Sequence, residues 1–158
     1  MRYFFLIFLN IFLFAESYHF EENKYVDALE STFTKRGFIE VAEKEVHITY
    51  TAPQAKEIIK KNETVGIKGK SGKVYYLKGI ALERTKQFID IMIRLGDYKE
   101  IKNNKDFTLT ATVKGYHITF SETLKKLFTK AEVETKADKV LRFKLFLKNN
   151  DTLEIVKR

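Results

Sequence analysis

From Phe33 onward the chain alternates apolar and polar residues in short runs, each closed by Gly, Asn, Asp or Pro. That period of two, with such terminators, is the pattern of half-buried antiparallel strands. Val46, Ile48 and Tyr50 fall on one face of such a strand and His47, Thr49 and Thr51 on the other. Ala52-Pro53 ends that run, because proline has no N–H to donate to a ladder. Runs of the same kind predict strands over Phe38–Val41, Lys56–Lys60, Thr64–Lys68, Val74–Leu77, Phe107–Val113, Tyr116–Phe120, Glu132–Thr135, Val140–Leu147 and Thr152–Val156. Two links predict tight hairpins: Lys70-Ser71-Gly72-Lys73, whose glycine can take a positive φ, and Asn149-Asn150-Asp151.

One segment follows a different period. Between Glu83 and Leu95, the residues Phe88, Ile91, Met92 and Leu95 recur at helical spacing, flanked by Ile89 and Ile93, and Gly96 is placed as a C-terminal cap. The apolar face is wider than a surface helix needs, so the helix is expected to cross a sheet and cover its concave side. A shorter helical turn is predicted over Glu122–Thr129. The pattern places the protein in the α+β class.

The N-terminus is of another kind. Arg2 precedes a stretch from Tyr3 to Ala15 that is apolar except for Asn10. One positive charge, a short apolar core and a small-residue exit at Ala15, or as far as Ser17, are the parts of a secretory signal. At about 1.5 Å per helical residue the stretch spans roughly 20 Å, against a hydrocarbon core of about 30 Å. It is therefore expected to be cleaved, leaving a single exported domain over residues 16–158. The chain holds no cysteine, so no lipid can be attached at the cleavage point and no disulfide is available. A domain of this length can hold a core without one. The formal charge of +8 falls by one when Arg2 is removed, and its lysines are scattered through the alternating runs, which reads mainly as a solubilising surface.

Catalytic signatures are missing. His19, His47 and His117 stand far apart, and His47 and His117 occupy the polar phases of their strands with no second ligand at a metal-site spacing. Gly69-Lys70-Ser71 lacks the upstream glycine of a phosphate-binding loop and runs into a strand. Neither a Gly-x-Ser-x-Gly nor a His-Glu-x-x-His motif occurs. Tyr75, Tyr76 and Tyr116 among lysines would suit stacking on bases, but an exported protein is not expected to meet nucleic acid. A non-enzyme without cofactor or metal is expected.

The order of elements resembles a family. Phe20-x-Glu-x-Lys24, Leu29, Gly37-Phe-Ile-Glu-Val41, the run ending at Tyr50-Thr-Ala-Pro53 and Lys56-Glu-Ile-Ile-Lys60 are similar to the N-terminal half of the periplasmic outer-membrane lipoprotein carriers, the LolA-like proteins. The helix ending near Leu95-Gly-Asp, the strand opened by Phe107, Tyr116-His-Ile-Thr-Phe120 and the closing pair through Asn150-Asp-Thr-Leu-Glu-Ile155 are similar to the C-terminal half. The resemblance implies an open, strongly curved antiparallel half-barrel with a helical lid over its concave face. It also implies a periplasmic monomer that carries the acyl chains of lipoprotein or lipid cargo. Such a carrier would receive cargo from an inner-membrane release machine and pass it to an outer-membrane receptor, touching membranes only transiently.

Under that resemblance the inward phases supply the candidate cavity: Ile48, Tyr50, Ile59, Ile67, the lid residues Phe88, Ile91 and Met92, then Leu109, Ile118, Phe120, Phe143 and Leu145. Each of these positions also has a plain core reading, since core positions outnumber pocket positions in most domains. The family's gating arginine corresponds by spacing from Tyr50 to Lys44, which lacks the planar fork of arginine. The helix that often precedes the family's first strand has no room here, which points to a divergent branch. Two other readings stand beside the carrier. An envelope binding or sensor module would use the same sheet without shuttling, and an envelope hydrolase would need Glu40, Glu122 or His117 in the cleft.

Overall fold

The computed structural model describes residues 16–96, 102, 107–122, 124–126, 128–137 and 139–158. The apolar leader and its cleavage at Ala15 lie outside the described residues. The strands are β1 (Glu16–Val26), β2 (Ser31–Val41), β3 (Glu45–Ala52), β4 (Lys56–Lys61), β5 (Thr64–Lys68), β6 (Val74–Tyr76), β7 (Phe107–Ala111), β8 (Gly115–Phe120), β9 (Phe128–Lys136), β10 (Lys139–Leu147) and β11 (Thr152–Lys157). A long helix, α1 (Gly79–Gly96), falls between β6 and β7.

All the strands join one open antiparallel sheet in the order β6-β5-β4-β3-β2-β1-β11-β10-β9-β8-β7. The first and last strands pair at its centre, Phe20 opposite Lys157 and Lys24 opposite Leu153, so two meanders run outward to opposite edges. In chain order α1 links those two edges, and a helix that joins opposite edges must cross a face. It lies on the concave face against β5, β1 and β10, giving the curved half-barrel with a helical lid.

The links follow their residues. Gly72 takes φ +75° in the β5–β6 turn, and Asn150 takes φ +65° in the β10–β11 turn. Buried Asp151 accepts from the Asp27 N–H at 3.0 Å and so ties that turn to the one after β1. Gly37 is required for a different reason. It stands between Phe20 on β1 and Tyr50 on β3, and a Cβ there would come within 2.2 Å of the Thr49 carbonyl oxygen.

Several elements differ from the pattern-based expectation. β1 was not foreseen as a strand, and β2 begins at Ser31 rather than Phe38. Phe128 and Thr129, expected in a helical turn, open β9, and only a short 3₁₀ turn over Leu124–Lys126 precedes them. α1 starts at Gly79, a turn earlier than Glu83, and its described span runs to Gly96.

The inward phase is continuous across the sheet through the cross-strand partners Tyr18–Ile39–Ile48–Ile58–Ile67 in one arm. In the other arm it runs Phe143–Val133–Tyr116 and Leu145–Ala131–Ile118–Leu109. The core is closed to solvent: Ile39, Ile48, Ile89, Met92 and Ala131 are wholly buried. The Tyr18 hydroxyl donates to the Met92 carbonyl and pins the helix to the central strand. Lys86 meets Glu63 at 2.5 Å and Lys60 meets Asp90 at 4.0 Å, which ties one flank of α1 to β4 and the turn after it.

Candidate functional site

Along each central strand the inward phase changes character from one end to the other. On β1 it reads Tyr18, Phe20, Glu22, Lys24; on β2, in the matching direction, Ile39, Gly37, Lys35. On β3 it runs Val46, Ile48, Tyr50, and on β11 Ile155, Leu153. One end of the concave face is therefore packed core, and the other, beneath the first half of α1, is not filled. A cavity of about 610 Å³ lies there, within the roughly 300–1,000 Å³ typical of small-molecule sites.

Its walls come from both arms. Tyr50 and Ile58 face it from one side, Phe128, Leu145, Leu147 and Leu153 from the other, and Phe88 and Ile91 of α1 form the roof. Its mouth is charged. Lys24, Lys35, Lys56, Arg84, Lys126 and Lys148 line it, and Glu22 is the one carboxylate among the lining residues. Glu22 is only 5% exposed. It accepts from the Tyr50 hydroxyl at 2.6 Å and from Lys35 at 3.2 Å, so its charge is held within the protein.

The Tyr50 ring separates core from cavity. It packs edge-on to Phe20, with ring centroids 5.6 Å apart. The ammonium groups of Lys35 and Lys56 lie 5.5 and 5.4 Å from the same ring centroid, close enough for cation–π attraction. Burial, reinforced by the neighbouring Glu22 charge, pushes the Tyr50 phenol far above its ordinary range, so it stays a donor. Lys56 is half-buried with Lys35 beside it, and burial first, then the Lys35 charge, holds its ammonium below the usual lysine range.

The cavity gathers some of the positions suggested by the sequence. Tyr50, Phe88, Ile91 and Leu145 line it. Ile48, Met92, Ile118, Phe120 and Phe143 are instead buried core on the same concave face, and Ile67 and Leu109 share that face nearer the two edges without reaching the cavity. Ile59 requires correction. Its neighbour Ile58 pairs with Ile48 and points inward, whereas Ile59 pairs with His47 and Gly66 on the convex face. Lys44 requires one as well: it lies exposed in the β2–β3 turn, away from the cavity, and not on a strand. Glu40, Glu122 and His117 are exposed and line no part of the cavity.

Glu22, Lys35, Lys56 and Arg84 were not singled out from sequence. Lys35 and Lys56 stand at polar positions that look solvated, and it is the pairing of Tyr50 with Gly37 and Lys56 that puts them on the inward face, which the sequence alone does not give. His47 belongs to a separate network on the convex face, with Nδ1 2.8 Å from Glu57 and Nε2 3.3 Å from Glu45. Among the described residues no group of three or more His, Asp or Glu side chains could hold a metal ion. Among the same residues no helix is long and apolar enough to cross a membrane.

No family model and no curated protein matches the chain. Solved structures of similar shape exist. The crystal structure of a LolA superfamily protein from Nitrosomonas europaea aligns at 6% identity and a TM-score of 0.41, covering 91% of this chain and 84% of that one. A DUF1329 family protein from Desulfovibrio piger aligns at 8% identity and a TM-score of 0.41, covering 92% and 85%. The functional reading rests on the cavity itself.

Proposed function

We propose that this protein is a non-catalytic carrier that shelters the acyl chain of a lipid or lipoprotein in the cavity under α1 and moves it through the periplasm. The observation that carries the proposal is the unfilled apolar volume between the first half of α1 and the two arms of the sheet. At about 0.8 kcal/mol per CH₂, a chain of a dozen carbons withdrawn from water contributes on the order of 10 kcal/mol, without any polar contact. An apolar cavity is therefore sufficient for capture. Open sheet edges and a roof tied by exposed ion pairs on one flank suit a site that must also release its cargo. The sequence resemblance to LolA-like carriers supports the same reading, with a donor at the inner membrane and a receptor at the outer membrane. Contact with an anionic membrane surface would fall to the β6 edge, where Tyr75 and Tyr76 are 62% and 67% exposed beside Lys73 and Lys78.

The test is transfer. Donor vesicles containing a fluorescent acylated peptide are mixed with the protein, separated, and the protein is then offered to acceptor vesicles. A carrier extracts the label and delivers it at a rate that rises with protein concentration. A protein that forms a stable complex with an envelope protein while its cavity stays empty would be a binding module instead.

A further inference from the structure

We propose that the mouth of the cavity is a site for an anionic headgroup, so that the ligand is an anionic amphiphile whose carboxylate or phosphate lies between Lys35 and Lys56. This rests on the carrier reading above. The first observation is a charge imbalance. Six cations line the cavity against the single carboxylate of Glu22, and that carboxylate is already engaged by Tyr50 and Lys35.

The second is where the chain does pair its lysines. On the convex face Lys61 meets Glu45 at 2.6 Å, Lys68 meets Glu57 at 3.5 Å and Arg36 meets Glu21 at 3.1 Å. At the mouth, by contrast, Lys56 and Arg84 have no carboxylate within ion-pair range among the described residues. Lys60 and Lys86, both largely covered, are paired with Asp90 and Glu63, whereas Lys56 is a half-buried ammonium without such a partner among the described residues, which is costly. Burial first and then Lys35 disfavour the charged form of Lys56, the Glu22 charge offsets them only in part, and an anion at this point would offset the rest.

The third is direction. Lys35 and Lys56, partly exposed, line the same cavity as the apolar Ile58, Phe88 and Leu145, with Glu22 buried behind Lys35. A molecule seated there has its tail among those side chains and its head among the ammonium groups. The Tyr50 ring, which also lines the cavity, holds both ammonium groups within about 5.5 Å of its centroid.

The experiment is isothermal titration of the full mature chain, stripped of bound lipid, with four ligands of equal chain length below their critical micelle concentrations. These are palmitate, hexadecyl phosphate, neutral monopalmitoylglycerol and hexadecyltrimethylammonium. Both anions are expected to bind at least about tenfold tighter than the neutral lipid, as suits charge-assisted contacts to the partly buried Lys35 and Lys56, and the ammonium weakest. Lys56→Met and, on the exposed helix surface, Arg84→Gln are each expected to weaken the anions by about five- to tenfold while moving the neutral lipid less than about twofold. Circular dichroism confirms that each variant is folded. The ranking of palmitate against hexadecyl phosphate tells a carboxylate head from a phosphate. Equal binding of all four overturns the headgroup site and leaves the carrier intact. Binding of none overturns both.

Discussion

Met92 and Ile91 are neighbours on α1, yet truncating them should have different consequences. Met92 is wholly buried between the helix and the sheet, and its carbonyl accepts the Tyr18 hydroxyl. Met92→Ala therefore leaves a hole in close-packed core, at about 2–5 kcal/mol. For a domain of this size that lowers Tm by roughly 6–15 °C, taking about 3 °C per kcal/mol. Ile91 is half-buried on the cavity roof. Ile91→Ala removes three carbons that are already next to open space, so about 1 kcal/mol and roughly 3 °C are expected at about 0.8 kcal/mol per buried carbon, halved for partial burial. Ligand affinity should show the opposite order. Loss of those carbons from contact with an acyl chain is worth about fivefold in Kd for Ile91→Ala, and less than twofold for Met92→Ala while it remains folded. Thermal melts followed by circular dichroism, paired with titration of a fluorescent long-chain fatty acid, measure both quantities on the same samples. If Ile91→Ala costs as much stability as Met92→Ala and leaves the affinity unchanged, the space under α1 is closed core and the cavity reasoning is refuted.

Other expectations follow from the same structure. Tyr50→Phe removes the 2.6 Å hydrogen bond to buried Glu22 and should cost about 1.5–3 kcal/mol, seen as a lower urea midpoint at unchanged m-value; an unmoved midpoint would mean that the Glu22 charge is satisfied without it. Gly37→Ala would drive a Cβ to 2.2 Å from the Thr49 carbonyl oxygen and should destabilise by about 1–3 kcal/mol or more, as overpacking does; a normal melt would show that β2 and β3 can separate there at little cost. His47 is raised above its ordinary value by its hydrogen bond to Glu57, against burial and with help from Glu45. Its contribution to stability is then fully present below the unfolded pKa of about 6.5 and is lost as pH rises through the higher folded value. As a partly exposed pair it should be worth under about 1 kcal/mol. Melts between pH 5.5 and 9 should show that decline in the parent and a flatter profile in His47→Gln; identical profiles would contradict the linkage.

Most of the sheet was legible because its strands are half-buried and alternate. β1 was not, for a reason tied to the site. Its inward phase passes from Tyr18 and Phe20 to Glu22 and Lys24, and the charges that break the alternation are those placed at the cavity mouth. Ile58 and Ile59 show the same kind of limit: two adjacent isoleucines satisfy either phase, and only pairing with Ile48 selects Ile58 as the inward one. The early start of α1 was obscured because its first turn carries apolar Ile80 off the buried face, where it is 73% exposed, next to Leu82, which packs on the core. Alternation reports which way a side chain faces, whereas the division between core and cavity depends on how closely α1 approaches the sheet. Ile48 and Tyr50 therefore look equivalent in sequence, although one is sealed in core and the other borders open space.

The most direct test of an acyl-chain cavity is native mass spectrometry of the mature protein purified from the envelope fraction without detergent, followed by denaturation to release any ligand. The expected result is a bound amphiphile that disappears on denaturation and whose mass identifies its chain and head. Clean apo protein that also takes up no fluorescent fatty acid would contradict the central claim.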